Sequence, residues 1–248
     1  MGNPIKIRSR VLSVEDFGSG IYAVKMRSEG RVPRFKPGQF LHLAIDAYDP
    51  NGGFWPESRV FSIASYDPPG DITIVYSVKG AYTARMAATL AAGSGVWLKM
   101  PYGDFVIESK ALPGQSIVLI AGGTGLTPFV PYLQGIAIAG AATRMVRLYY
   151  GTRERSLILF PDILAQCAHS SIIDLRLWIE DAEDATRESP LGRAEAGRLD
   201  IARIASECVA LGDPLFFLSG PPQMIMSFRD SLIRGGVPAE RVQIDEWE

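Results

Sequence analysis

"LIAGGTGLTPFVPYL", residues 119–133, is an apolar run broken by Gly122, Gly123 and Gly125 and followed by Pro128. A Walker-type phosphate loop ends in Gly-Lys-Ser/Thr, whereas Gly125 is followed here by Leu126-Thr127-Pro128. The G-x-G-x-x-G spacing of a Rossmann fingerprint is not met either. Glycines at the end of a strand, ahead of a helix started by proline, still present backbone N–H groups and a helix dipole to an anion. A tight strand-to-helix turn needs the same glycines. Taken alone, the loop leaves both readings open.

The chain on the carboxyl side resolves part of this. SIVLIAGG (116–123) reads as a buried strand and 128–140 as a helix. MVRLYYGT (145–152), IIDLRLWI (172–179), PLFFLSG (214–220) and VQIDEW (242–247) are further strands, and helical patterns at 156–168, 198–210 and 221–235 lie between them. This alternation predicts an α/β domain, a doubly wound parallel sheet of five strands, over residues 113–248. Ligands of such sheets bind beyond the carboxyl ends of the strands, where the glycine loop falls.

On the amino side the rhythm differs. IKIRSRVLSV (5–14), IYAVKMRS (21–28), QFLHLAI (39–45), RVFSIAS (59–65), DITIVYSVK (71–79) and VWLKM (96–100) are short strands with Gly/Pro turns, and 82–91 is one short helix. The pattern predicts an antiparallel β-barrel domain over residues 1–112. Residues 106–114, ending in Pro-Gly, are the candidate linker.

Composition narrows the function classes. The 248 residues are 47% hydrophobic and 21% charged, enough of each for two cores and a polar surface. A net charge of −2 gives no electrostatic case for nucleic acid. Cys167 and Cys208 are the only cysteines and His42 and His169 the only histidines, so no metal site is expected. Residues 116–142 carry no charge and are long enough to span a bilayer, but five glycines and prolines between 122 and 131 argue against a membrane span. The start lacks an apolar targeting segment, and a cytoplasmic protein is expected.

Three further motifs accompany the glycine loop in order: Arg59-Val60-Phe61-Ser62, Leu148-Tyr149-Tyr150-Gly151 and Ser219-Gly220-Pro221-Pro222. Together the set resembles the ferredoxin–NADP reductase superfamily, over essentially the whole chain. The resemblance implies a flavin-binding barrel followed by a nicotinamide-nucleotide domain. Arg59 would pair with a flavin phosphate, Phe61 would cover the isoalloxazine or ribityl chain, and Ser62 would offer a hydrogen bond at N5. Val78-Lys79-Gly80 with Tyr82 and Thr83 is similar to the second flavin element, with Thr83 where the family usually has serine. Gly122, Gly123, Thr124 and Gly125 would hold the pyrophosphate of NAD(P)H, and Thr127 and Pro128 would lie near the rings. Gly151 and Arg153 follow the second strand, and Gly220-Pro221-Pro222 would form the opposite wall. Ser219 stands where the family often has cysteine. Asp245-Glu246-Trp247 fits an acid-x-aromatic ending, with Trp247 as a cover for the flavin and Asp245 or Glu246 assisting protonation or ring orientation.

The implied activity is hydride transfer from NAD(P)H to bound FAD, in preference to FMN, with electrons passed to a separate acceptor such as a ferredoxin or an oxygenase component. The expectation of a separate acceptor rests on the lack of a cysteine-rich cluster module in this sequence. Two alternatives remain: an NAD(P)H:flavin reductase that releases free reduced flavin, and a non-enzymatic subunit that senses nucleotide or redox state. For the nucleotide, four acids within 180–184 favour NADH, while Arg153 and Arg155 favour NADPH.

Overall fold

Alternating apolar residues in the first half become strands with one face in a core. The computed structural model describes residues 4–65, 71–140, 142–169 and 173–246. Its first unit, Met1–Val106, contains β1 (Ile5–Gly18), β2 (Ile21–Ser28), β3 (Phe40–Ala44), β4 (Arg59–Ser62), β5 (Asp71–Ser77) and β6 (Gly95–Tyr102). They form one antiparallel sheet in the order β4-β3-β6-β1-β2-β5. Just past β4, Ala64 N–H donates to Thr73 O on β5 at 2.8 Å, which draws the two edges together into a near-barrel. Helix α1 (Ala81–Thr89) plugs the core with Tyr82 and Met86. Val24, Met26, Leu41, Leu43, Ile72, Ile74 and Leu98 are fully buried there, each worth about 1.5–3 kcal/mol relative to exposure.

β1 runs four residues beyond its expected end. Register shifts at Val11/Ser13 and Asp16/Gly18 let it stay paired with β2 up to Ile21, so a segment read as turn is bulged strand.

Tyr76 on β5 is 2% exposed, and its hydroxyl has no hydrogen-bond partner among the described residues. Burial, helped by Tyr22 and Asp16, pushes its phenol up to about 12. Tyr76→Phe should therefore leave the thermal midpoint unchanged or raise it, because it removes an unpaired buried group costing about 1–3 kcal/mol. A fall in midpoint would mean that the hydroxyl is satisfied after all.

The second unit is Ile107–Glu248. The division lies earlier than the expected boundary at 112, because part of the supposed linker forms α2 (Ile107–Lys110). Arg144 of the second unit holds that segment, reaching Glu108 at 3.2 Å and Leu112 O at 3.4 Å. The sheet comprises β7 (Ile117–Gly122), β8 (Val146–Thr152), β9 (Asp174–Ile179), β10 (Glu195–Ala196), β11 (Leu215–Ser219) and β12 (Val242–Ile244). Its order is β10-β9-β8-β7-β11-β12, with every neighbouring pair parallel. There are six strands, not five. β10 is two exposed residues long and carries no apolar period that a sequence could display.

Helices α3 (Val130–Ala139), α4 (Pro161–His169), α5 (Ala182–Thr186), α6 (Ile201–Cys208) and α7 (Pro222–Arg234) complete the unit. Asp200 caps α6 by accepting from the N–H groups of Ala202 and Arg203, which fixes its start. The uncharged run 116–142 is divided among β7, a 3-10 turn and α3. Among the described residues, no helix is long and apolar enough to cross a membrane.

Candidate flavin and nucleotide sites

In the first unit the geometry centres on Tyr82. The Arg59 guanidinium lies 4.6 Å from the Tyr82 ring centroid and that of Arg85 5.3 Å from it. The ring is buried, with its hydroxyl 3.1 Å from Leu43 O and 3.0 Å from Glu57 O while accepting from Ile45 N–H. Burial raises this phenol above its usual range. Tyr82 was expected to touch the cofactor. In the structure its polar end is spent on backbone, and its face lies against two arginines.

Thr83 performs a similar local task. Its hydroxyl accepts from Lys79 N–H at 2.9 Å and Gly80 N–H at 3.2 Å, closing the cap of α1. The N–H groups of the first turn still lack intrahelical partners, as at any helix start. Gly80 is exposed, and a Cβ built on it meets nothing within 4 Å. An anion arriving here finds a guanidinium, a helix N-terminus and open space. These residues fit a flavin pyrophosphate.

The strand motif is split between two faces. Val60 and Ser62 are half-buried and lie opposite His42 and Phe40 of β3. Phe61 points the other way, 9% exposed, with its ring 5.9 Å from that of Tyr76. Phe61 is thus part of the barrel core, because strand alternation turns it inward. Val78 and Lys79 are at or near the surface.

In the second unit, glycines set the carboxyl edge of the sheet. β7 ends at Gly122, and the segment expected to be an open loop is a 3-10 turn, Gly123–Phe129, with Pro128 inside it. A Cβ on Gly125 would lie 2.2 Å from Ser219 O and 2.5 Å from Gly220 N. One on Gly220, where φ is +151°, would lie 3.0 Å from Gly122 N. These glycines thus let the ends of β7 and β11 press backbone to backbone. Gly123 differs: φ is +53° and a Cβ would meet nothing within 4 Å. Gly123 and Thr124 are half-exposed, whereas Thr127 and Pro128 are buried. The Thr127 hydroxyl donates to Thr124 O at 2.6 Å, so it is a strut of the turn. Gly151 closes β8 beneath Leu199, whose Cγ would be 2.8 Å from an added Cβ. Pro221 and Pro222 are exposed at the start of α7. The open backbone at Gly123 fits a nucleotide pyrophosphate.

Ser219 and Asp245, 26 residues apart in sequence, are brought together. The buried hydroxyl donates to Asp245 Oδ2 at 2.9 Å, and Asp245 N–H donates to Leu218 O. Glu246 is exposed, and Trp247 lies outside the described residues. Arg155 was expected to be able to reach a 2′-phosphate. Instead its guanidinium binds Asp184 O, Ala185 O, Ser189 Oγ and Gly192 O, pinning the segment after β9. Arg153 is exposed. Arg198, which pairs with Glu180, was missed because only the short β10 brings it there.

An antiparallel near-barrel joined to a parallel sheet with a glycine-built carboxyl edge defines a two-domain nucleotide-binding class. Residues 119–230 match the family described as the oxidoreductase NAD-binding domain. The chain is 26% identical to the reductase component of propane 2-monooxygenase from Rhodococcus jostii, across 99% of this chain and 65% of that protein. It is 28% identical to a flavohemoprotein of Deinococcus radiodurans, across 86% of this chain and 51% of that protein. The chain thus spans about half to two-thirds of the length of these relatives. Among solved structures, a ferredoxin NADP+ reductase from Neisseria gonorrhoeae with bound FAD and NADP has the same fold, with a TM-score of 0.74 at 16% identity and 99% coverage of both chains. These likenesses support the resemblance to the ferredoxin–NADP reductase superfamily.

Proposed function

We propose that this chain is an oxidoreductase that binds FAD in its first unit, takes hydride from NAD(P)H bound to its second, and passes electrons to a separate protein acceptor. The observation that carries the reading is the coexistence of two anion cradles in one chain. One is Arg59 with the start of α1, and the other is the open backbone at Gly123. The names of the relatives, reductase components of oxygenase systems, favour a ferredoxin or an oxygenase component as acceptor. NADH is the favoured donor.

When bound, the flavin supplies two-electron acceptance and stepwise electron release. The chain's own residues supply position. Arg59 and the first-turn N–H groups of α1 hold the flavin phosphates, and Ser62 offers a hydroxyl toward the ring system. Gly123 and Thr124 admit the nucleotide pyrophosphate. Ser219 commits its proton to Asp245, which leaves its hydroxyl oxygen able to act only as an acceptor toward any other group. No side-chain nucleophile is required.

Anaerobic mixing of the purified protein with NADH tests this. Bleaching of a stoichiometric flavin absorbance is the expected result. Protein that purifies colourless yet reduces added free flavin would establish the flavin-reductase alternative. Bound flavin that NADH and NADPH both leave oxidised would point to a sensor.

A further inference from the structure

Lys6 of β1 and Lys99 of β6 are direct partners across the sheet of the first unit, and both point out of its core. Like charges placed opposite each other destabilise a sheet. Neither lysine has an acidic partner among the described residues; each lies over an aromatic ring instead. We propose that this outer face of β1 and β6 docks on an anionic lipid surface, with Phe54 at its rim entering the lipid. The inference goes beyond the electron-transfer reading and does not rest on it.

Strand alternation builds the face. Ile7, Ser9 and Val11 of β1 and Val96, Leu98 and Met100 of β6 are buried on one side. Lys6, Arg8, Arg10, Trp97 and Lys99 therefore share the other. Arg8 and Arg10 divide a single acid, Glu29, at 3.5 and 3.6 Å. On β2, Lys25 and Arg27 are both answered by Asp71, and Glu15 lies beyond the bulge at the far end of β1. His42 pairs with Lys99 on β3; burial and that lysine lower its pKa, so it adds no charge at neutral pH. The whole chain hides this imbalance. Residues 1–106 hold 12 lysines and arginines against 9 acids, and residues 107–248 hold 13 against 18. A net charge of −2 thus conceals a positive first unit whose cations gather on one sheet face.

The segment between β3 and β4 borders the face with aromatic rings. The Tyr48 ring lies 5.1 Å from that of Trp97 and 5.5 Å from that of Trp55, and Lys6 Nζ is 4.5 Å from the Tyr48 centroid. Phe54, beside Trp55, is 98% exposed. Phosphate headgroups match the cations, the amphipathic Tyr and Trp suit the headgroup level, and the acyl layer takes the phenyl ring. An acidic protein would also meet the lysines, but a single projecting ring needs a pocket shaped for it. A lipid surface needs only charge and a yielding apolar layer. In the sheet order β1 and β6 are central and β4, which carries Arg59, is at the edge, so the lipid face and the flavin cradle use different strands.

Co-sedimentation of the full chain with vesicles tests this, using phosphatidylcholine alone and equal parts of phosphatidylcholine and phosphatidylserine. The native protein should pellet with the anionic vesicles only, and added salt should release it. Each cation near an anionic surface contributes about fivefold, so Lys6→Gln with Lys99→Gln should weaken binding about 25-fold. The thermal midpoint of that double variant should hold or rise, because a like-charge pair is gone. Phe54→Ser should weaken binding about tenfold at an unchanged midpoint. Native protein that pellets with neither vesicle, or equally with both, overturns the proposal. Native binding that both variants retain in full places the lipid contact on another surface and overturns it as well. Retention on immobilised polyaspartate without vesicle binding would give the face to an acidic protein instead. Salt-sensitive dimers in sedimentation velocity, again without vesicle binding, would give it to the acid-rich second unit of another copy.

Discussion

Arg59→Ala is expected to purify largely free of flavin. A hydrogen bond to a charged group contributes about 1.5–3 kcal/mol, which is about 10–150-fold in affinity. The native side chain is placed for that contact, over the Tyr82 ring at the start of α1. Its present ion pair with Glu57 is exposed on both sides, 47% and 56%, and contributes little to folding. The thermal midpoint of the flavin-free protein should accordingly stay near that of the native apoprotein, which separates lost binding from lost fold. Arg59→Lys should fall between, because an ammonium keeps the charge but not the bidentate geometry. Full flavin occupancy of Arg59→Ala at low flavin concentration would remove Arg59 from the site.

Gly125→Ala and Gly123→Ala should separate fold from binding within one turn. A methyl group on Gly125 would lie 2.2 Å from Ser219 O, and the opposing atoms are backbone that cannot rotate away. The cost should reach or exceed about 3 kcal/mol, the upper end of ordinary overpacking. That corresponds to a fall in midpoint of about 6–12 °C for a chain of this size. Gly123→Ala instead points its methyl into open space. Its left-handed backbone adds about 1–2 kcal/mol of strain, leaving the protein folded and its flavin bound. The nucleotide KM should nevertheless rise about tenfold or more, because the methyl occupies the pyrophosphate's approach. An unchanged KM would place the nucleotide elsewhere. An unchanged midpoint for Gly125→Ala would mean that the β7 and β11 ends are not packed as described.

The plan of an antiparallel unit followed by a parallel one was legible because it depends on periods that a sequence displays. Alternation in DITIVYS (71–77) gives a strand with Ile72, Ile74 and Tyr76 buried. The strand–helix alternation after residue 116 gives a parallel sheet. β10 was invisible because two exposed residues, Glu195 and Ala196, carry no period and pair only because Trp178 and Ile179 are already in place. The burial of Phe61 was hidden for a related reason. A motif names residue types, while strand parity and the neighbouring Tyr76 decide which face a ring occupies.

By itself, the sequence determined which segments are strands and helices and where the glycines interrupt them, because these follow from local propensity and apolar spacing. It also determined that the chain has an antiparallel half and a parallel half. Tertiary structure alone decided which polar groups remain available. Tyr82 and Thr127 look like ligand contacts in the sequence, yet backbone carbonyls brought near by folding claim their hydroxyls. Arg155 looks like a phosphate-binding residue, yet the segment after β9 surrounds it with acceptors. Arg198 looks like an ordinary surface charge, yet a two-residue strand sets it against Glu180. A hydrogen-bonding group has only so many partners, and long-range chain packing determines which of them it meets.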